Sequence, residues 1–161
     1  MPKNLTIISI NMNHSNYKLT ALLEMCSVFC LLIQEPRWCP LAPHWLDVNP
    51  EGKPVLGMVN HPQWMAFTPP LSSLDSHPRV TTFICKCILL SLMVTPLPKL
   101  VHYYILSLNL RGPDFHLQII NYYHHIQQHQ DNLTHLLECF LDHHAPILRG
   151  DFNTHFELWG P

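Results

Sequence analysis

Five polar side chains stand where apolar runs of this sequence stop. Asn11 follows "IISI", Glu35 follows "LLIQ", Tyr123 closes "IINYY", and Asp151 and Asn153 lie in "GDFN". Carboxylate and amide oxygens are what a hard cation such as Mg2+ accepts, usually with several waters retained. A tyrosine hydroxyl can donate to a phosphate oxygen. Ligands of open sheets collect beyond strand ends, so strand-end side chains of this kind point to cation and phosphate chemistry. Taken singly, each has a plain alternative: Asn11 as a turn residue, Glu35 as a solvated charge before Pro36, Asp151 as a cap.

The elements that must position these residues read as strand, helix and strand. "NLTIISIN" is short and β-branched, which predicts a strand ending at Asn11. "SNYKLTALLEMCSVFC" sets Leu19, Leu22, Leu23, Cys26, Phe29 and Cys30 at helical spacing behind a cap at Ser15 or Asn16. "VFCLLIQE" is a second strand that overlaps the end of that helix and stops at "QEPRW". Residues 36–78 hold most of the 15 prolines and read as a long irregular crossing with one short strand at "PVLGMV". Two β-like runs follow, "RVTTFICKCILLSLMV" and "VHYYILSLNL", joined across "TPLPK", and "FHLQIINYY" is a further strand. In "QDNLTHLLECFLDHH", Leu133, Leu136, Leu137, Phe140 and Leu141 predict a helix capped by Asp131 or Asn132. "APILRG" returns as a strand. The pattern is that of sheets covered by helices.

Composition narrows the function classes. The chain has 161 residues, 47% apolar and 12% charged, with a net charge of −2. That is one domain of ordinary size with too many apolar residues for disorder. Without a basic run, Lys and Arg cannot be the main binders of a phosphate backbone; a metal ion or protonated histidines must supply much of the positive charge. The six cysteines form no CxxC pair and read as reduced thiols. "CKC" at 85–87 lacks the second pair a zinc site needs. No signal peptide precedes the first strand, and the longest apolar stretch, "CILLSLMV", is too short to span a bilayer. The expectation is an intracellular protein, nuclear or cytoplasmic, not secreted and without a membrane partner. Of the 13 histidines, His125 and His129 are four apart, but no HExxH pattern accompanies them and they read as a solvated polar face.

The order and wording of "IISINMNHS", "LLIQEPRW", "IINYYHH" and "GDFNTHFELWGP" resemble the motifs of the endonuclease/exonuclease/phosphatase superfamily. Within it the chain resembles the apurinic-type endonuclease domain of fungal non-LTR (LINE-like) retrotransposons. "HPQW…HPRVTTFI" from His61 to Ile84 is similar to the middle of those domains, so the resemblance covers nearly the whole chain. It implies a DNase I-like α/β fold: a four-layer α/β/β/α sandwich of two packed sheets with helices outside. It also implies Mg2+-dependent (or Mn2+-dependent) hydrolysis of phosphodiesters, with DNA as substrate. By the same resemblance Glu35 is the main metal ligand, with Asn11 and Asp151. Asp151 orients or deprotonates the attacking water, and Asn153, Asn11, Tyr123 and His155 attend the phosphate.

Two departures from the family pattern carry expectations of their own. Phe156 follows His155 where a second His usually stands. The family continues through further strands to a closing "SDH" motif, whereas this sequence ends at Pro161. The expectation is an amino-terminal portion of such a domain, incomplete at its C-terminus and weak or inactive. The alternative is a non-catalytic retroelement remnant with at most weak nucleic-acid or metal binding.

Overall fold

The computed structural model describes residues 5–40, 56–69, 77–97, 103–124 and 146–152. In chain order the elements are β1 (Ile7–Asn11), α1 (Asn16–Met25), β2 (Cys30–Gln34), β3 (Cys39–Pro40), β4 (Leu56–Gly57), β5 (Trp64–Phe67) and β6 (Val80–Cys85). There follow α2 (Lys86–Leu89), β7 (Met93–Pro96), β8 (Ile105–Arg111), β9 (His116–Tyr123) and β10 (Pro146–Asp151).

The β-branched run at the start forms β1, which pairs in parallel with β2 so that Asn11 lies opposite Gln34. Parallel pairing needs a crossover, and α1 supplies it. Ser15 caps α1 by accepting from the Lys18 amide at 3.4 Å, and Leu19 and Leu23, one turn apart, are its buried residues. The helix stops at Met25, earlier than its apolar spacing predicts. Cys26 is already extended, and the Phe29 amide has turned to bond the Thr6 carbonyl at 3.1 Å. The chain must be extended by Cys30, because every residue of β2 is buried between neighbours on both faces.

One sheet has the order β1-β2-β6-β5, with β6 antiparallel to β2 and β5 antiparallel to β6. The other has the order β10-β9-β8-β7, in which β10 runs parallel to β9 and brings Asp151 opposite Tyr123. Gly112 closes the β8–β9 turn by donating its N–H to the Phe115 carbonyl at 2.9 Å. β3 and β4 form a separate two-stranded ribbon.

Alternation assigns the faces. Leu32, Val80 and Ile84 of the first sheet meet Leu106, Leu108, Leu110 and Ile119 of the second in the central core. Leu31, Ile33 and Phe83 point the other way and pack under α1 against Leu19 and Leu23. Each such buried aliphatic side chain contributes roughly 1.5–3 kcal/mol relative to exposure. Trp64 of β5 joins that outer cluster and donates its indole N–H to the Leu23 carbonyl at 2.9 Å.

Three readings of the sequence change. β5 lies inside the segment that reads as irregular, because a four-residue strand takes its stability from pairing with β6 rather than from its own pattern. "RVTTFICKCILLSLMV" is not one β run: the short helix α2 divides it between β6 and β7. Cys85 and Cys87 flank that junction with Cα atoms 5.4 Å apart and are joined as a disulfide, whereas Cys26, Cys30 and Cys39 are free thiols. The helix expected over 131–141 lies outside the described residues. No helix among the described residues is long and apolar enough to cross a membrane.

Candidate active site

The two sheets present strand ends at one edge of the sandwich. Asn11 ends β1, Glu35 directly follows β2, Tyr123 ends β9 and Asp151 ends β10. Asn11 donates its amide Nδ2 to Asp151 Oδ2 at 2.6 Å, across the gap between the sheets. The Tyr123 hydroxyl donates to Glu35 Oε1 at 2.8 Å, also from one sheet to the other. The four side chains therefore form two cross-sheet pairs in a single cleft. Asn153 and His155 lie outside the described residues.

The backbone is bent to make this corner. Asn13, His14 and Glu35 have φ of 46°, 58° and 47°, the left-handed region that L-residues other than glycine enter at a cost of about 1–2 kcal/mol. Hydrogen bonds hold them there. The Glu35 amide bonds the Arg79 carbonyl at 2.8 Å, and the Glu35 carbonyl accepts from the His14 amide at 2.9 Å. Asn11 Oδ1 accepts from the Asn13 amide at 2.8 Å, so this side chain braces its own loop as well as Asp151. Strain concentrated where polar side chains converge is a mark of a functional site. Gly150 is required for a different reason: a Cβ there would collide with the Tyr122 carbonyl of β9, its register partner.

Beneath the cleft runs a buried polar seam. Gln34 Nε2 donates to Asn121 Oδ1 at 2.7 Å. Asn121 Nδ2 in turn donates to the carbonyls of Thr81 at 3.0 Å and Ile33 at 3.2 Å. Gln34 also reaches Ser9 Oγ at 3.2 Å. Gln34 immediately precedes Glu35, and Asn121 lies two residues before Tyr123. The seam thus fixes the height of one sheet's site residue against the other's. Their sequence signal is the "QE" and "NYY" wording, which names both residues without revealing that they touch.

The electrostatics are mixed. Arg79 Nη1 and His14 Nε2 each approach Glu35 Oε1 to 3.8 Å, and they lie 3.1 Å from one another. The Tyr123 hydroxyl is pushed up to about 12 by burial first and then by its hydrogen bond to the Glu35 carboxylate, with Asp151 adding and Arg79 opposing. It is a phenol donor across the physiological range. Arg79 and His14 carry no sequence pattern that marks them; only pairing of β6 beside β2 brings Arg79 to Glu35.

The donors suit a hard cation. Among the described residues Tyr123, His14 and Arg79 all approach the Oε1 oxygen of the Glu35 carboxylate. No three His, Cys, Asp or Glu side chains gather into a metal-holding group among the described residues. Mg2+ needs no such cage, since one or two carboxylates with waters hold it.

No protein-family model matches the chain, and neither does any curated protein. Among solved structures it is similar to the endonuclease domain of TRAS1, a telomere-specific non-LTR retrotransposon, at 16% sequence identity with a TM-score of 0.70. The match covers 96% of this chain, and this chain spans 63% of the length of that one. The chain thus has the α/β, DNase I-like fold, which it shares with a retrotransposon endonuclease domain.

Proposed function

We propose that this chain is a divalent-metal-dependent phosphodiesterase domain that cuts DNA internally. The observation that carries the reading is the convergence of Asn11, Glu35, Tyr123 and Asp151 from both sheets on one cleft. The fold shared with a retrotransposon endonuclease domain agrees with it.

Glu35 would hold Mg2+ (or Mn2+) through its carboxylate, with Asn11 and Asp151 as further oxygen donors. The cation, when bound, would neutralise charge that develops on the phosphate. Asp151 takes the proton of the attacking water as the water oxygen bonds to phosphorus; the phosphorus–sugar oxygen bond breaks, and the sugar oxygen leaves with the bonding pair and takes a proton from solvent. The Asn11 amide keeps Asp151 aimed for that transfer. Asn153 and His155, and the Tyr123 phenol once it turns from the Glu35 carboxylate, would donate to the phosphate oxygens, and each such donor is worth on the order of 10²–10³ in rate.

A second reading, nucleic-acid binding with little or no catalysis, is favoured by one observation. Arg79 and His14 crowd the same Glu35 oxygen from 3.8 Å and compete with a cation for it.

Nicking of supercoiled plasmid tests the proposal. The full chain should produce nicked circles slowly, only with Mg2+ or Mn2+, and EDTA should stop the reaction. Asp151→Ala should lower the rate by at least about a hundredfold. Nicking unaffected by Asp151→Ala would sink the assignment. DNA retardation without any nicking in Mn2+ would favour the second reading.

A further inference from the structure

Beside the cleft lies a cavity of about 590 Å3 whose lining includes Arg37, Trp38, His77, Arg79, Tyr103 and His14. Its size is within the roughly 300–1,000 Å3 span of small-ligand sites. We propose that this cavity is a subsite for an unpaired nucleotide of the DNA strand held at the Glu35–Asp151 cleft, a deepening that rests on the DNA substrate proposed above.

Charge and ring geometry carry the argument. The sequence has only 9 Lys and Arg in total. Two of them, 42 residues apart, line this one cavity together with two histidines, and no Asp or Glu lines it among the described residues. Arg37 and Arg79, the latter also facing Glu35 at 3.8 Å, suit an anionic occupant. The walls are also aromatic. Trp38 is half-buried and fixed by an indole N–H bond to the Pro78 carbonyl at 3.0 Å, with the His77 ring 5.5 Å away at 59°. Tyr103 also lines the cavity, and its carbonyl accepts from the Arg79 amide at 2.7 Å. A planar ligand with a negative charge fits this set, and a nucleotide is both.

The cavity is continuous with the cleft. Arg79 and His14 belong to both, through their approach to Glu35. Tyr104, another lining residue, stacks on Tyr123 at 6.2 Å, and Tyr123 bonds Glu35. A phosphate at the cleft therefore places a neighbouring base at the cavity mouth. In a duplex the base faces are hidden in the stack. Only an unpaired base can lay a face on Trp38, as in sites that take single strands by aromatic stacking over a cationic groove.

Anisotropy with a labelled oligothymidylate of about 12 nucleotides and a blunt duplex of equal length, in EDTA and low salt, tests the subsite. The full chain should bind the single strand about tenfold more tightly than the duplex. Trp38→Ala should lose about that factor, Trp38→Phe should retain most of it, and duplex binding should move in neither. Equal affinity for the two DNAs, or single-strand binding untouched by Trp38→Ala, would overturn it. So would an equal loss in Trp38→Phe with an unaltered circular dichroism spectrum, because a stacking role survives that change. Asp151→Asn should keep the single-strand preference. Trp38-dependent binding without nicking would remove the nuclease reading and leave the subsite; nicking without that dependence would remove the subsite alone.

Discussion

The interior of the sandwich has two ends of opposite character. Around Leu108, Leu110, Ile84 and Phe29 the sheets meet through apolar side chains alone. One to two rungs away, towards the cleft, they meet through Gln34, Asn121, Thr82 and the Thr81 and Ile33 carbonyls. The apolar end supplies stabilisation that is not directional and tolerates small shifts. The polar end supplies less net energy, yet it is directional. Asn121 satisfies groups on two strands of the opposite sheet, so a slip of either sheet would orphan several buried polar groups. A buried polar network next to the site residues therefore sets the position of Glu35 against Tyr123, while the apolar end holds the sheets together.

Substitutions at the two ends should separate these roles. Leu108→Ala, at a fully buried position, should cost about 3 kcal/mol in urea unfolding through lost burial and a residual cavity. If the protein survives the loss, Mn2+ affinity should hardly change. Asn121→Leu should cost less, about 2 kcal/mol, because it strands the Gln34 amide and two carbonyls. It should nonetheless weaken Mn2+ binding, measured by titration, more than Leu108→Ala does. The reverse ranking in metal affinity would refute the division of labour.

The smallest effect belongs to the Tyr123 hydroxyl. Tyr123→Phe should cost about 1 kcal/mol at neutral pH by removing the donor to Glu35. The pH dependence has a definite sign. In the folded protein this phenol is raised from the ordinary 10.0 to about 12, so its contribution is fully present below about pH 10. It is lost as pH rises through about 12. The stability gap between wild type and Tyr123→Phe should be flat from neutral pH to about pH 9 and close above about pH 10, as followed by denaturant unfolding at each pH.

Much of this was visible in the chain, for reasons that differ from element to element. β2 is continuously apolar because it is buried on both faces, and β1, β9 and β10 carry β-branched or apolar runs, so these strands announce themselves. α1 was legible from the four-residue spacing of Leu19 and Leu23. Its end was not, because Cys26 to Phe29 keep an apolar pattern while the pairing of β2 forces them to extend. α2 hides inside "CKCILL", which continues the apolar run of β6 with only Lys86 interrupting it. At the site, Asn11, Glu35, Tyr123 and Asp151 stood out as polar residues at strand ends. The contacts Gln34–Asn121 and Arg79–Glu35 did not, since each joins residues more than 40 positions apart and exists only once the strands have paired.

The central claim is that Glu35 anchors one hard-cation site shared between the sheets. Calorimetric titration of Mn2+ into wild type and Glu35→Ala tests it most directly. The account predicts a single site in the wild type, with affinity reduced at least about tenfold in Glu35→Ala while the variant keeps its folded circular dichroism spectrum. Equal Mn2+ binding by the two proteins would contradict it.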